Sequence, residues 1–162
     1  VEILVRPAKS TDAESIIKIH YDAVHTTAAK YYDADVLADW SSKNPERAKE
    51  SAKRIAENPE NADMFVAELN GEIVGFGEIV AGNNELRAVY VSPTAGRSGV
   101  GKALLAKLEA TARERGVEQL WLHSSLSAEA FYIADGYIND GKDSHTLRSG
   151  KQIACIKMHK KL

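Results

Sequence analysis

Val89-Tyr90-Val91-Ser92-Pro93-Thr94-Ala95-Gly96-Arg97-Ser98-Gly99-Val100-Gly101-Lys102-Ala103-Leu104-Leu105 is the stretch from which the rest of the chain is read. Val89 to Val91 has strand character, and Pro93 stops it. A glycine-rich loop follows and opens directly into a helix. Such a strand–loop–helix suits an anion. Glycines let backbone N–H groups approach phosphate oxygens, and the helix N-terminus adds about half a positive charge. The alternative is a plain βα turn whose glycines serve only tight packing. Gly96, Gly99 and Gly101, with Arg97 and Lys102 among them, favour the anion cradle.

The chain of 162 residues is the size of one domain. Its 44% apolar and 27% charged residues are ordinary for a globular protein. A net charge of −2 gives no argument for nucleic acid or an anionic membrane. No apolar run approaches the roughly 20 residues that span a bilayer. Val1 to Val5 is too short for the apolar core of a signal peptide and leads into Arg6-Pro7, so a cytoplasmic protein is expected. A single cysteine, Cys155, excludes an internal disulfide and a cysteine-rich metal site.

Outward from the loop, the upstream chain reads as strand, helices and a meander. Glu2 to Arg6 is a short strand ended by Pro7. Thr11 to Glu14 reads as a capping box, Thr11 being the N-cap. The helix it starts has Ala13, Ile16, Ile17, His20 and Val24 on one face, where His20 reads as a core histidine. Leu37 and Trp40 mark a short aromatic segment from Tyr31. Asn44-Pro45 begins a further helix, and Asn58-Pro59 stops it. Met64 to Leu69, the Asn70-Gly71 turn and Glu72 to Val80 form a hairpin. Ala81 to Asn84 turns the chain into Glu85 to Val91, which sets Glu78 opposite Arg87 if Gly82 and Asn83 form the tip. Downstream, the loop helix ends near Gly116. Gln119 to His123 is a short strand parallel to Val89 to Val91. Ser127 caps a helix over Ala128 to Asp135. Tyr137 to Asp140 and Gln152 to His159 are two last strands around a polar loop.

Two phosphate motifs can be tested on the loop. Gly96 to Ala103 nearly spells the P-loop of nucleotide-binding kinases, but Ala103 lacks the hydroxyl that holds Mg²⁺. The dinucleotide fingerprint would need glycine at Leu104, and the unit follows an antiparallel meander. A third pattern fits better. The strand, V-x-P, the G-x-G loop and the long helix resemble the acetyl-CoA motif of the GNAT N-acetyltransferase superfamily, written [Q/R]-x-x-G-x-[G/A]. Ser125 to Tyr137 resembles the family's second motif, N-x-x-A-x-x-[FL]-Y-x-x-x-G-[FY], with Ser125 in place of Asn. The order of elements resembles that family from Glu2 to the last strand.

The resemblance implies an α/β (α+β) GNAT fold, a single domain over 1–162. Its mixed, mostly antiparallel central sheet would have about seven strands flanked by about four helices. It implies an enzyme that moves an acetyl group from acetyl-CoA, its co-substrate, to a primary amine by direct attack in a ternary complex, without metal. The backbone amides of Arg97, Ser98, Gly99, Val100, Gly101 and Lys102 would cradle the pyrophosphate. Val89, Tyr90 and Val91 would also bind the cofactor, and Ser125 would bond its pantetheine arm. Gly96 replaces the motif's Gln or Arg, and Arg97 comes one residue late. Tyr132 occupies the position of the acid that protonates the leaving thiolate. A lysine-like amine has a pKa of ~10.4, so a base must take its proton; Glu85 matches that position and Glu78 is its rival. A backbone N–H of Val89 to Val91 would hold the oxyanion. Cys155 reads as a structural thiol.

The acceptor, a small molecule or a peptide, would meet His25, Tyr31, Tyr32, Trp40 and the Asp143 to Ser149 loop with His145. The resemblance leaves room for a homodimer and gives no reason to expect nucleic acid or membrane as a partner. The alternatives are a non-catalytic acyl-CoA-binding sensor and a nucleotide-dependent kinase.

Overall fold

A computed structural model describes residues 2–162. Seven strands form one sheet: β1 (Ile3–Pro7), β2 (Asp63–Leu69), β3 (Glu72–Val80), β4 (Glu85–Val91), β5 (Gln119–Ser124), β6 (Ile138–Thr146) and β7 (Gln152–Lys161). Their order is β1-β2-β3-β4-β5-β7-β6, with β4–β5 the one parallel neighbour pair among the described residues. Five helices cover the sheet: α1 (Ala13–Thr26), α2 (Ala34–Trp40), α3 (Pro45–Glu57), α4 (Val100–Glu114) and α5 (Glu129–Ala134). This is the mixed, mostly antiparallel α/β architecture expected.

The sheet separates two apolar layers. On one face Leu104, Leu105, Leu108 and Ala112 of α4 pack on Phe65, Ala67, Ile79 and Leu86. On the other, Ile16 and Ile19 of α1 pack on Val66 and Phe76. Ile19 and Ala23, rather than Ile17, complete the buried line of α1. Helix α4 lies unusually close to β3. A Cβ added at Gly77 would fall 2.6 Å from a Leu108 methyl, and one at Gly75 would fall 2.9 Å from a Val100 methyl.

Several local signals work as the sequence predicts. Asn70 and Gly71 both take positive φ, 53° and 81°, as a type I′ hairpin turn requires. Asn44 Oδ1 accepts the Glu46 amide at 3.0 Å, Pro45 opens α3, and Asn58 ends it in the left-handed region. Others are overridden. Thr11 is not an N-cap: a 3₁₀ turn over Ser10–Asp12 already precedes α1. The Asp12 carboxylate there accepts the Lys9 amide at 2.8 Å and pairs with Arg6. Ser127 caps nothing, because its hydroxyl meets Ser125 Oγ at 3.0 Å and α5 begins only at Glu129. The polar segment after Asp140 is mostly strand. β6 bulges at Asp140 and Gly141 and runs on to Thr146, leaving a short turn before β7.

The second hairpin places its tip as expected, with Val80 opposite Glu85 and Ile79 opposite Leu86. The register then slips by one. Glu78 faces Ala88, and Arg87 is left as the extra residue of a β-bulge. Leu86 and Val89, three apart, therefore both join the α4 layer, while Ala88 and Tyr90 join the α1 layer.

Candidate active site

The bulge sits where the sheet comes apart. β4 and β5 pair only at Glu85 and Trp121 and then diverge, so β4 has no neighbour on that side from Leu86 to Val91. The direction of the free groups is set by the ladder. Ser92 N–H donates to the Val74 carbonyl at 2.7 Å, which makes Val91–Gly75 a non-hydrogen-bonded pair. By antiparallel alternation, the amides and carbonyls of Val89 and Val91 point away from β3 into the gap. The gap thus offers unpaired donors and acceptors along one strand edge.

Two clefts open onto this gap. A groove of about 460 Å³ runs along Val89 to Pro93, Gly96 and Gly101, closed by Ser125, Ser127 and Phe131. A smaller cleft of about 210 Å³ is lined by Glu85, Arg87, His123, Tyr132, His145 and Cys155 among others. They share Trp40, Val89, Tyr90, Ser125 and Ala128. A ligand in the groove can therefore meet a ligand in the cleft at the edge of β4.

The glycine loop borders the groove. Arg97 and Gly99 both adopt positive φ, 62° and 89°. Gly99 does so without strain and turns the chain into α4. Arg97, Ser98 and Gly99 donate no backbone hydrogen bond among the described residues. Val100, Gly101 and Lys102 form the first turn of α4, whose amides have no carbonyl four residues earlier. All six amides sit at the positive N-terminal end of α4, and of these residues Gly101 lines the groove. Gly101 also permits close packing, since a Cβ there would meet the Phe131 ring at 3.0 Å. The side chains of Arg97 and Lys102 are exposed and enter no ion pair among the described residues.

On the cleft side, Tyr132 is 5% exposed and burial holds its hydroxyl well above the ordinary tyrosine pKa. Burial thus keeps that hydroxyl protonated, and Tyr132 lines the cleft. Glu85 accepts Arg87 Nη2 at 2.8 Å, and Arg87 Nη1 binds both Glu60 oxygens at 2.8 and 2.9 Å. Glu78 lies elsewhere. It is 4% exposed, bonds Arg54 Nη2 at 2.6 Å and faces α3 rather than the cleft. Burial raises its pKa against the opposing pull of Arg54. Of the two expected carboxylates, the structure brings only Glu85 together with Tyr132. Cys155 is buried, and burial pushes its thiol up to about 11, as suits a structural thiol.

The aromatic wall differs from expectation. Trp40 reaches both clefts and His145 reaches the smaller one. His25, Tyr31 and Tyr32 line neither. The Tyr32 hydroxyl donates to the Ala154 carbonyl at 2.7 Å and accepts the Leu126 amide at 3.0 Å, tying β7 to the turn before α5. His25 Nε2 donates to the Ser41 carbonyl at 2.9 Å. Sequence reasoning missed His123 as a cleft residue and missed Arg54 and Glu60 as partners of the strand carboxylates. His123 had a signal, its place at the exposed end of an apolar strand. Arg54, in the last turn of α3, and Glu60, in the turn after it, had none. No group of His, Cys, Asp or Glu among the described residues is arranged to hold a metal ion.

Comparison with known proteins bears on the fold and the family. The acetyltransferase (GNAT) domain family matches residues 27–162. The spermidine N(1)-acetyltransferase of Thermoplasma acidophilum is 25% identical over 153 residues, 88% of this chain and 94% of that protein. The crystal structure of an N-acetyltransferase from Rhodopseudomonas palustris superposes with a TM-score of 0.86 at 25% identity, covering 100% of this chain and 97% of the other. The PaiA N-acetyltransferase of Thermoplasma acidophilum, solved in complex with coenzyme A, gives 0.75 at 22% identity over 100% of both chains.

Proposed function

Because the chain belongs to the GNAT acetyltransferase family, an acetyl-CoA-dependent group of enzymes, we propose that it acetylates the primary amine of a small-molecule acceptor by direct attack in a ternary complex. In this reading residues 1–162 act as one domain. The observation that carries it is the junction of the two clefts at the open edge of β4. The groove side takes acetyl-CoA. Its pyrophosphate is held by the amides of Arg97 to Lys102, with Arg97 supplying the cation that Gly96 does not. Its pantetheine arm lies along Val89, Tyr90 and Val91 and beside Ser125. The cleft side takes the amine. A relative that acetylates spermidine supports a small alkyl amine as acceptor.

The chemistry is set by the groups that face the junction. The neutral amine attacks the thioester carbon, a C–N bond forms, and the oxyanion is held by the Val89 or Val91 amide. Loss of one such donor typically costs ~10²–10³ in rate. As the C–S bond breaks, the Tyr132 hydroxyl gives its proton to the departing thiolate, whose thiol pKa is ~8.5. The adduct nitrogen carries two protons after attack; it keeps one in the amide and gives the other to the Tyr132 oxygen, which restores the hydroxyl. Glu85 supplies the negative charge that draws the ammonium group in.

The test is release of CoA thiol from acetyl-CoA with a panel of primary amines. Tyr132→Phe is expected to lower kcat by ~10²-fold or more while leaving CoA affinity unchanged. A wild-type protein that binds CoA but releases thiol with no amine would instead be an acyl-CoA sensor.

A further inference from the structure

One imidazole in the acceptor cleft has no part in that transfer scheme. His145, on β6, lines the cleft with Glu85, Arg87, His123 and Tyr132. Its ring stands edge-on to that of His123, 5.7 Å between centroids. The residue is exposed, so this ring has a route to bulk water. Neither ring nitrogen of His145 is hydrogen-bonded to protein among the described residues, whereas His123 Nε2 is bonded to Asp143 Oδ2 at 3.1 Å.

The other basic groups of the cleft are each paired with a protein partner or protonated. Glu85 Oε1 already accepts from Arg87 at 2.8 Å and from Asn83 at 3.5 Å. Cys155 keeps its proton. His123 has one ring nitrogen bonded to Asp143, which leaves its other nitrogen as its one open acceptor. The groups that face His145 are Glu85 and Arg87 from β4, His123 from β5, Asp143 on its own strand, Cys155 from β7 and Tyr132 from α5. Trp40 from α2 brings no charge. Partial burial, then His123 and Arg87, depress the His145 pKa, and only Glu85 opposes them. The ring is therefore a neutral imidazole with a free lone pair near neutral pH.

We infer that His145 takes the proton from the acceptor ammonium group, with Glu85 beside it stabilising the imidazolium that forms. The inference rests on the acetyl-transfer reading. One N–H bond of the ammonium breaks, its electron pair stays on nitrogen for attack on the thioester carbon, and the proton passes to an imidazole nitrogen. From there it leaves to water at the open side of the cleft.

The experiment is the pH dependence of kcat/KM with acetyl-CoA and spermidine or butylamine, for wild type, His145→Ala and Glu85→Gln, alongside CoA titration. The wild type should lose rate on an acid limb set below the ordinary histidine pKa and hold a plateau above it. His145→Ala should be down about a hundredfold at pH 7 with CoA affinity unchanged. Its rate should climb tenfold per pH unit through the neutral range towards the pKa of the amine itself, ~10.4, because only free amine can then react. Added imidazole should restore part of the loss. Glu85→Gln should keep the acid limb but move it to lower pH. His145→Ala within about threefold of wild type with its acid limb intact would overturn the inference. So would a limb abolished by Glu85→Gln and kept by His145→Ala, which would make Glu85 the base. A wild type that binds CoA yet acetylates neither amine is a separate result, and it removes the acetyl-transfer reading together with this one.

Discussion

Burying an imidazolium costs far more than burying an imidazole, and His20 feels that difference directly. Its Nδ1 lies 2.8 Å from Ser41 Oγ, and its ring stands edge-on to Tyr90 at 4.7 Å and Trp40 at 6.2 Å. Burial above all, then Arg47 and His25, push its pKa from 6.5 down to about 4. The unfolded chain takes up this proton near 6.5 and the folded one only near 4. The stabilisation is therefore complete above the unfolded value and is lost as pH falls through that window, to a total of about 3 kcal/mol. Urea unfolding at pH 7 and pH 4.5 should show the loss in wild type and a smaller one in His20→Gln, which keeps a partner for Ser41. Equal losses in both would dismiss His20 as the cause. Asp12 and Glu60, held below the usual carboxylate range by Arg6 and Arg87, act at lower pH and in both proteins alike. His20 was legible as a core histidine from its position on the apolar face of α1. Its partner Ser41, 21 residues on and just beyond α2, was not, because no local pattern links them.

At the scale of elements, the hairpin tips, the helix over Asn44 to Asn58 and the strand–loop–helix of the glycine motif could all be read because each is set by neighbours in sequence. The bulge at Arg87 could not. Strict alternation predicts Glu78 opposite Arg87, and nothing local contradicts it. The slip is decided by packing, since Leu86 and Val89 both fill the α4 layer. The extent of β6 escaped for a similar reason. Its side chains are exposed throughout, and its strand form comes from pairing with apolar β7 rather than from its own composition. The close seat of α4 on β3 carries a direct prediction. At Gly77 a Cβ meets a Leu108 methyl at 2.6 Å and the Ala88 carbonyl oxygen at 3.0 Å. Overpacking of this kind costs about 1–3 kcal/mol, more than the roughly 0.4–1 kcal/mol gained by restricting the unfolded glycine. Gly77→Ala should thus lower unfolding free energy by about 1–2 kcal/mol in denaturant titration. Gly82→Ala, with nothing within 4 Å of the added methyl, should not. Equal effects at the two sites would show that α4 yields freely.

Across the whole molecule, the open edge of β4 lets the sheet serve as a partition with a window. Around it, contacts between distant segments tie the last two strands to the first helices and to the turn before α5. Arg148 after β6 bonds Glu50 of α3 at 2.8 Å, and Ser149 Oγ donates to Asp39 of α2. Tyr32 joins β7 to the turn before α5. Among the described residues no such tie crosses the glycine loop, and Arg97 and Lys102 enter no ion pair there. A folded protein whose groove takes acetyl-CoA should therefore gain stability from it by mass action. At one hundred times the dissociation constant the gain is about 2.7 kcal/mol, or roughly 5–10 °C in Tm for a chain of this size. ATP with Mg²⁺ should give less, since Ala103 offers no hydroxyl to the metal. The double substitution Arg97→Ala and Lys102→Ala separates side-chain from backbone contributions to the cradle. It should weaken acetyl-CoA binding at about 50 mM salt and approach wild type at about 500 mM, where exposed charges are screened. A wild-type melting curve that acetyl-CoA leaves unmoved would refute the groove as its site. Variant binding that matches wild type at low salt would mean that Arg97 does not replace the side chain missing at Gly96, and that the six amides hold the pyrophosphate alone.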